Sequence, residues 1–296
     1  MRLSEIKKVL NHIEIANDCE FETLGILRYR KNKMLSFIMS DRFLSELKTN
    51  DTVCAVFCTK ELAPSLKNDY GLVISETPQK DFYTFHNCLV KETEFYRKRE
   101  PNQIDPSAKI HPSAVIGEYS VKIAKNVLIE PNVVIMPNTT IEDDVILRAG
   151  VIIGTQGFEF KRLGVEMLPV DHGGGVHLHK RVELQALTHV AKSIFGEDTT
   201  VGEDSKTDAL VHIAHNVKIG ERCRFAANAM IAGSATIEDD VWVGPSASIS
   251  AFVIVGKGAN VTIGSVVTKD VAPGERVTGN FAIKHERFIE FIRKIR

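Results

Sequence analysis

A period of six residues dominates the hydrophobic pattern in the second half of the chain. The series, apolar except at Thr207, runs Phe195, Val201, Thr207, Ile213, Ile219, Phe225, Ile231, Ile237, Val243, Ile249, Val255, Val261 and Val267. An earlier series contains Ile104, Ile110 and Ile116, slips by one residue, and resumes at Ile123, Ile129, Ile135, Ile141, Leu147 and Ile153. Helices repeat near 3.6 residues and ordinary strands alternate, so this period predicts short strands and tight turns in a parallel β-helix.

Such a coil makes residues in successive turns stack. Three hexads form one triangular coil of about 18 residues, and coils lie ~4.8 Å apart. We expect the first residue of each hexad, here called the anchor, to point inward and the residue two positions later to point outward. Residues 155–177 break the period and contain five glycines. They are predicted to form a loop that protrudes from the coil, and the hexad pattern resumes after it at Leu178, Leu184 and Val190.

The ends of the chain lack the hexad pattern. Residues 1–100 are typical of a small α/β domain, with helices predicted near 3–13 and within 79–97 and strands at 53–57 and 71–75. The charged, proline-containing segment 97–107 is the predicted junction to a β-helix domain over 101–278. Residues 279–296 predict a short amphipathic helix, whose apolar positions are Ile283, Phe288, Phe291, Ile292 and Ile295. The expected fold class is therefore mainly β.

Composition narrows the functional classes. The chain has 37 Lys and Arg against 38 Asp and Glu, so it lacks the overall basic field of a nucleic-acid-binding protein, and we expect no nucleic-acid partner. Its five cysteines include no C-x-x-C pair, which favours reduced thiols over disulfides. No apolar run approaches ~18 residues, and the first residues carry charges where a signal peptide is apolar. We therefore expect no membrane span and a cytoplasmic location.

The segment VHIAHNVKIG at 211–220 contains the main candidate for chemistry. His215 lies two positions after the anchor Ile213 and is predicted to project from the coil surface. Stacking places Glu197 one coil below it and Gly233 one coil above. On one face, the imidazole could act as a base, the carboxylate could orient the imidazole, and the backbone N–H could stabilise an oxyanion. Asp208 is the alternative carboxylate for the orienting role. A solvated histidine with incidental neighbours is the alternative.

The histidines also raise the question of a metal site. Six of them lie close together in sequence, at His172, His177, His179, His189, His212 and His215. The zinc-binding γ-class carbonic anhydrases combine one distant histidine with two that are five residues apart. Since His212 and His215 are three apart, we expect no metal site.

Four motifs resemble the UDP-3-O-acylglucosamine N-acyltransferases of lipid A synthesis, and the resemblance extends over nearly the whole chain. They are IAHNVKIG around His215, IAGS at 231–234, G-x-x-G-F-x-F at 154–160 and SFIMSDRF at 36–43. The resemblance implies a left-handed β-helix, an exception to the usual right-handed crossover. It also implies His215 as general base and the Gly233 backbone as oxyanion donor. It implies that Phe37 and Phe43 hold the uracil ring of the substrate. Ser40, at a position where the family usually has asparagine, is also an implied substrate-binding residue, as are Phe158, Phe160 and Asn216.

The implied reaction transfers an acyl group from a thioester, either acyl-CoA or an acyl carrier protein, to the amino group of a nucleotide-linked sugar. The resemblance further implies a homotrimer and no permanently bound cofactor. Departures from the family leave the sugar open: Ala251-Phe252 stands where a Gly-His pair is usual, and the segment 189–192 replaces T-I-D-R. Two alternatives therefore remain, an N-acetyltransferase for another UDP- or dTDP-linked amino sugar and a non-catalytic solenoid scaffold or sugar-binding module.

The donor is also left open by the end of the chain. The tail is shorter than the extended helical end of the family, which weakens the case for a carrier protein. The predicted terminal helix has a basic surface formed by Lys284, Arg287, Arg293, Lys294 and Arg296. Such a surface attracts either an acidic carrier protein or the phosphates of coenzyme A.

Overall fold

The computed structural model describes residues 1–66, 69–279 and 282–295, with the backbone alone at Ile295. The predicted contributions of Arg296 and of the Ile295 side chain to the terminal helix lie outside the described residues. No helix in the described part of the chain combines the length and apolar character needed to cross a bilayer.

Most of the chain is the left-handed parallel β-helix that the period of six and the resemblance predicted. Its strands form three flat sheets. Face 1 contains Gln103–Ile104, Val121–Ile123, Thr139–Ile141, Gly175–Leu178, Asp198–Val201, Lys218–Ile219, Thr236–Ile237 and Ile254–Val255. Face 2 contains Lys109–Ile110, Leu128–Ile129, Ile146–Leu147, Glu183–Leu184, Lys206–Thr207, Arg224–Phe225, Trp242–Val243, Asn260–Val261 and Arg276–Val277. Face 3 contains Val115–Ile116, Val134–Ile135, Ile152–Thr155, His189–Ala191, His212–Ile213, Met230–Ile231, Ser248–Ile249 and Val266–Val267.

The stacking rule holds along these faces. Ile213 pairs with Ile231, which pairs with Ile249, and these anchors belong to one continuous apolar core. At most corners the residue three positions after an anchor has a positive φ, as at Asn132 (59°) and Asn216 (60°). Asparagine tolerates this left-handed conformation better than most residues, which explains its recurrence at these corners.

Two interruptions leave the coil where face 3 turns into face 1. The first, residues 156–174, contains an antiparallel hairpin of Phe160–Leu163 and Glu166–Pro169. The second is residues 192–197, between the strands His189–Ala191 and Asp198–Val201. It corrects one expectation: Phe195, predicted as the first anchor of its series, is buried in the N-terminal core instead of the coil. The extra residues carry its ring out of the stack.

The N-terminal residues form a five-stranded sheet within the described chain, backed by the helix Pro78–Glu92. In spatial order its strands are Glu14–Asn17, Gly71–Ile74, Val53–Cys58, Met34–Phe37 and Thr23–Leu24, with the first antiparallel to its neighbour and the others parallel. The short helices are Leu3–Lys8, Asp41–Phe43, Leu44–Lys48 and Ala63–Ser65. The first is shorter than the predicted helix over 3–13. The C-terminal helix is His285–Ile295.

The N-terminal sheet domain lies on the coil edge between face 3 and face 1. The Tyr29 hydroxyl and Ser234 Oγ are 2.7 Å apart, and Arg97 donates to Asp198 at 2.6 Å. His86 Nε2 lies 2.7 Å from the backbone oxygen of Asp171 in the first interruption. The domain and both interruptions therefore cover the same edge of the coil.

Candidate active site

His215 lies on this covered edge, outside the coil but largely shielded from solvent. It follows the strand His212–Ile213, and 13% of its side chain is exposed. Glycines confine the ring. A Cβ on Gly233 would lie 2.5 Å from His215 Cε1, and one on Gly157 would lie 3.1 Å from His215 Cδ2. Side chains at either position would displace the imidazole, so both glycines are part of its binding cleft.

Asn216 determines which nitrogen of His215 carries the proton. Asn216 Oδ1 accepts the Ile194 N–H at 3.0 Å, which identifies this atom as the amide oxygen. The same oxygen lies 3.1 Å from His215 Nδ1, so Nδ1 must be the donor. In the neutral ring, Nε2 then holds the free lone pair that a base requires.

The carboxylate beside that lone pair belongs to Glu159, a residue that the sequence patterns did not single out. Glu159 Oε2 lies 3.4 Å from His215 Nε2. Burial opposes ionisation of Glu159, but hydrogen bonds from the protonated form of His215 and from Lys161 outweigh it and lower the pKa of Glu159 to about 2. Glu159 is therefore charged at neutral pH and is positioned to stabilise a protonated His215.

The G-x-x-G-F-x-F motif thus contributes a different residue from the ones expected. Phe158 and Phe160 flank Glu159 and are both exposed, with Phe158 89% exposed and the two rings 5.1 Å apart. Only 20% of the Glu159 side chain is exposed, so the motif shields the carboxylate and leaves both rings in solvent. A substrate contact by either phenylalanine stays a prediction.

Glu197 reaches His215 only through Asn216. Asn216 Nδ2 donates to Glu197 Oε1 at 3.3 Å, and Lys31 Nζ lies 2.8 Å from the same oxygen. Glu197 is the last residue of the second interruption, and the Asn216 side chain stands between it and the His215 ring. Because Asn216 is 5% exposed and its polar atoms are engaged, it is suited to position His215 and not to contact substrate, which corrects our expectation.

Asp208 does not join the site. It follows the face 2 strand Lys206–Thr207, at the corner between face 2 and face 3, and is exposed. Its carboxylate accepts the Ala209 N–H at 2.7 Å. One side of the triangular coil separates it from His215, so its candidacy as an orienting group is wrong.

His172, from the first interruption, is a second unexpected neighbour. Its ring lies edge-on to His215 with centroids 5.4 Å apart, and it is 1% exposed. Among the described residues its Nε2 has no hydrogen-bond partner. Burial, aided by repulsion from a positive His215, lowers the pKa of His172 to about 3, so its ring is neutral.

The other clustered histidines are elsewhere on the coil. His189 and His212 stack on face 3 with rings 2° from parallel and Nδ1 atoms 3.2 Å apart. His177 and His179 stack on face 1. The sequence cluster therefore separates into three pairs, of which one contains His215.

The turn that contains Gly233 is anchored to the N-terminal domain. Ser234 N–H donates to the His215 carbonyl at 2.9 Å, and Ser234 Oγ lies 2.7 Å from the Tyr29 hydroxyl. Burial raises the pKa of Tyr29 to about 12, so this group remains a neutral phenol. The Gly233 backbone is thereby held against the His215 ring.

A cavity of about 450 Å³ opens beside this turn, at the junction of the two domains. Phe37 and Phe43 both line it, as do the cationic side chains Arg28 and Arg42. Phe252, two turns above Asn216 in the same corner column, completes the wall on the coil side. Ser40 is not among the lining residues. It precedes the short helix Asp41–Phe43, and its carbonyl accepts the Phe43 N–H at 3.2 Å.

Comparison with known proteins supports the resemblance over part of the chain. The protein-family model "Bacterial transferase hexapeptide (six repeats)" matches residues 120–155 and 198–233. A UDP-3-O-acylglucosamine N-acyltransferase of Caulobacter sp. (strain K31) is 39% identical over 137 residues, which is 46% of this chain and 40% of the relative. One of Campylobacter lari is 32% identical over 146 residues, 49% of this chain and 45% of the relative.

Among solved structures, the Francisella novicida UDP-N-acetylglucosamine acyltransferase aligns with a TM-score of 0.50 at 24% identity, covering 64% of this chain and 72% of that one. This likeness concerns the fold. The matched segments span less than half the length of the curated relatives, so the expected resemblance over nearly the whole chain is matched over about half of it.

Proposed function

We propose that this hexapeptide-repeat chain, similar over about half its length to UDP-3-O-acylglucosamine N-acyltransferases, transfers an acyl group from a thioester to the amino group of a UDP-linked amino sugar. The arrangement around His215 carries the proposal. A histidine with its Nδ1 proton fixed by Asn216 has a free Nε2 for proton transfer, and Glu159 lies beside it. This is the arrangement of a general base, not of a solvated surface histidine.

The proposed reaction is a direct transfer. His215 Nε2 takes a proton from the sugar amine as its nitrogen attacks the thioester carbonyl carbon. The Gly233 N–H stabilises the tetrahedral oxyanion. Collapse breaks the C–S bond, and the imidazolium returns its proton to the thiolate, so the products are an amide and a free thiol. Glu159 stabilises the imidazolium between these steps.

A covalent intermediate on Cys223 is disfavoured. This cysteine lies in the coil core, and burial raises the pKa of its thiol to about 11. A protonated, buried thiol is a poor nucleophile.

The cavity beside the site suits the nucleotide. Phe37 and Phe43 present aromatic rings for a pyrimidine base, and Arg28 and Arg42 supply charges that complement a diphosphate. The Arg28 guanidinium lies 4.9 Å from the Phe252 ring centroid, on the wall nearer the coil. A UDP-sugar placed with its base at the phenylalanines would extend towards the coil edge that contains His215.

The experiment is a thiol-release assay with matched acyl groups on coenzyme A and on an acyl carrier protein. UDP-3-O-acylglucosamine, UDP-glucosamine and a dTDP-linked amino sugar serve as acceptors. We expect release that requires a UDP-linked acceptor and forms an amide product. Release with none of these acceptors would favour the scaffold alternative. Preference for acetyl transfer to a dTDP-linked acceptor would favour the other enzyme.

We further propose coenzyme A thioesters as the donor. The helix His285–Ile295 carries Arg287, Arg293 and Lys294, whose charges suit the phosphates of coenzyme A and suit an acidic carrier protein as well. In the same assay, kcat/KM at least about tenfold higher with the carrier protein would overturn this proposal.

We also propose a homotrimer, because face 3 carries exposed apolar side chains along the coil. Val115, Ile152, Met230 and Val266 are exposed on four of its eight strands, and strands with polar outward residues such as His189 and His212 lie between them. Exposed apolar side chains on a flat coil face favour association with other copies of the chain. Sedimentation of the purified protein should give the trimer mass. A fully active monomer at micromolar concentration would contradict it.

A further inference from the structure

Two histidines and a glutamate converge on the coil surface where face 1 turns into face 2. His177 and His179 flank the inward-pointing anchor Leu178, so both point outward. Leu178 pairs with Ile141 of the preceding coil, which places Glu142 beside His179. Glu142 Oε1 lies 2.8 Å from His177 Nε2 and 3.2 Å from His179 Nδ1.

We propose that Glu142, His177 and His179 form a binding site for Zn²⁺. Two imidazole nitrogens and a carboxylate oxygen are a common three-residue zinc ligand set, in which a water takes the fourth position. Ligand atoms around a tetrahedral zinc ion are ~3.3 Å apart, given zinc–nitrogen bonds of ~2.0–2.1 Å. The two distances to Glu142 Oε1 approach this value, and the three ligand atoms lie within 4.8 Å of one another.

The surroundings hold these ligands in place. The other carboxylate oxygen of Glu142 accepts the Lys180 N–H at 3.1 Å, which fixes the orientation of the group. The imidazoles are stacked with centroids 4.1 Å apart. Thr140 and Thr200 are the neighbours of His177 on the adjacent strands, so small side chains border the site and leave room for a water ligand. Anchoring of this kind raises metal affinity.

The site has a structural consequence. Glu142 precedes the first interruption, residues 156–174, and both histidines follow it. A bound ion would join the coils on either side of the loop that contains Glu159 and His172, and closing such a loop stabilises the fold. The proposal is independent of the proposed acyl transfer. Our expectation of no metal site considered His212 and His215 and did not consider a ligand from the preceding coil.

The test is calorimetric titration of the tag-free, chelator-treated full chain with ZnCl₂ at neutral pH. We expect one ion per chain with a dissociation constant below about 10 μM, and at least about tenfold weaker binding for Glu142→Gln, His177→Asn and His179→Asn. Zinc should also raise the melting temperature of the wild type and leave that of His177→Asn unchanged. Four-coordinate Co²⁺ absorption bands should appear on substitution with that ion.

The matched control is the double variant His189→Asn/His212→Asn, which removes the stacked histidine pair on face 3, a pair with no adjoining carboxylate among the residues that the structure describes. It should retain wild-type zinc affinity. Absence of saturable binding below about 100 μM would overturn the proposal. So would unchanged affinity in a folded Glu142→Gln variant, or loss of binding in the control, which would place the ion at His189 and His212.

Discussion

Replacing Glu159 by glutamine removes one negative charge beside His215 while preserving the size of the side chain. At the observed 3.4 Å, two unit charges interact by ~5 kcal/mol with an effective dielectric constant near 20. Burial opposes ionisation of Glu159, yet His215 and Lys161 lower its pKa from 4.5 to about 2, a net effect of ~3 kcal/mol that both partners share. We therefore assign ~2 kcal/mol to the imidazolium alone. If the proton is on His215 in the transition state, kcat should fall ~30-fold.

The assay is steady-state acyl transfer with the acceptor that proves active. Glu159→Gln should lower kcat by this factor and leave KM for the nucleotide sugar within about twofold, because the cavity lies away from Glu159. Glu166→Gln is the matched control: Glu166 belongs to the same hairpin but is exposed and paired with Lys80. The reasoning is refuted if Glu159→Gln keeps more than half of wild-type kcat, or if the control loses as much activity.

Five other substitutions test the site. His215→Ala should lower kcat by ~10²-fold or more at nearly unchanged nucleotide-sugar affinity, and retention of over about a third of turnover would remove His215 from the mechanism. Phe37→Ala and Phe43→Ala should each weaken nucleotide binding by ~1–3 kcal/mol in calorimetry without altering assembly, whereas unchanged affinity would assign both rings to the core alone. Gly233→Ala should lower kcat at least about tenfold, since its Cβ would lie 2.5 Å from His215 Cε1, and wild-type turnover would contradict this steric account. His172→Gln should reduce acid sensitivity. Burial lowers the pKa of His172 to about 3, so the unfolded chain binds a proton near pH 6.5 that the folded chain excludes, and wild-type stability falls as pH decreases from about 7 towards 3. Urea unfolding at pH 7 and 4.5 should show a smaller difference in the variant, and equal differences would exclude His172 as a cause.

The coil was predictable from the sequence because each side of the triangle repeats one local arrangement. An inward anchor such as Ile213 is followed three residues later by a corner residue such as Asn216 with positive φ. Non-repeating segments were less predictable. The expected helix over 3–13 ends as a short helix at Lys8, although Leu10 and Ile13 are buried as its pattern implied. Apolar spacing indicated burial there, but the local conformation depends on tertiary packing.

The stacking rule located backbone neighbours more reliably than side-chain partners. It placed Gly233 beside His215, where a Cβ on Gly233 would lie 2.5 Å from His215 Cε1, whereas Glu197 is the last residue of the second interruption. It could not show that the Asn216 side chain stands between Glu197 and the imidazole. Asp208 does not orient His215 for a simpler reason. The two residues are close in sequence, but they lie at different corners of the triangular coil, with one whole side of the triangle between them.

The residues that the repeat did not reveal come from the segments that break it. Regular hexads supply His215 and Gly233, whereas Glu159 and His172 come from the first interruption and Glu197 from the second. A regular coil exposes its corners to water, where an ion pair is worth little. The interruptions and the N-terminal domain cover this corner, reduce the exposure of His215 to 13% and hold a charged carboxylate beside it. Electrostatic stabilisation of an imidazolium needs that shielding, so departures from the six-residue period are the positions where chemistry in such a coil should be sought.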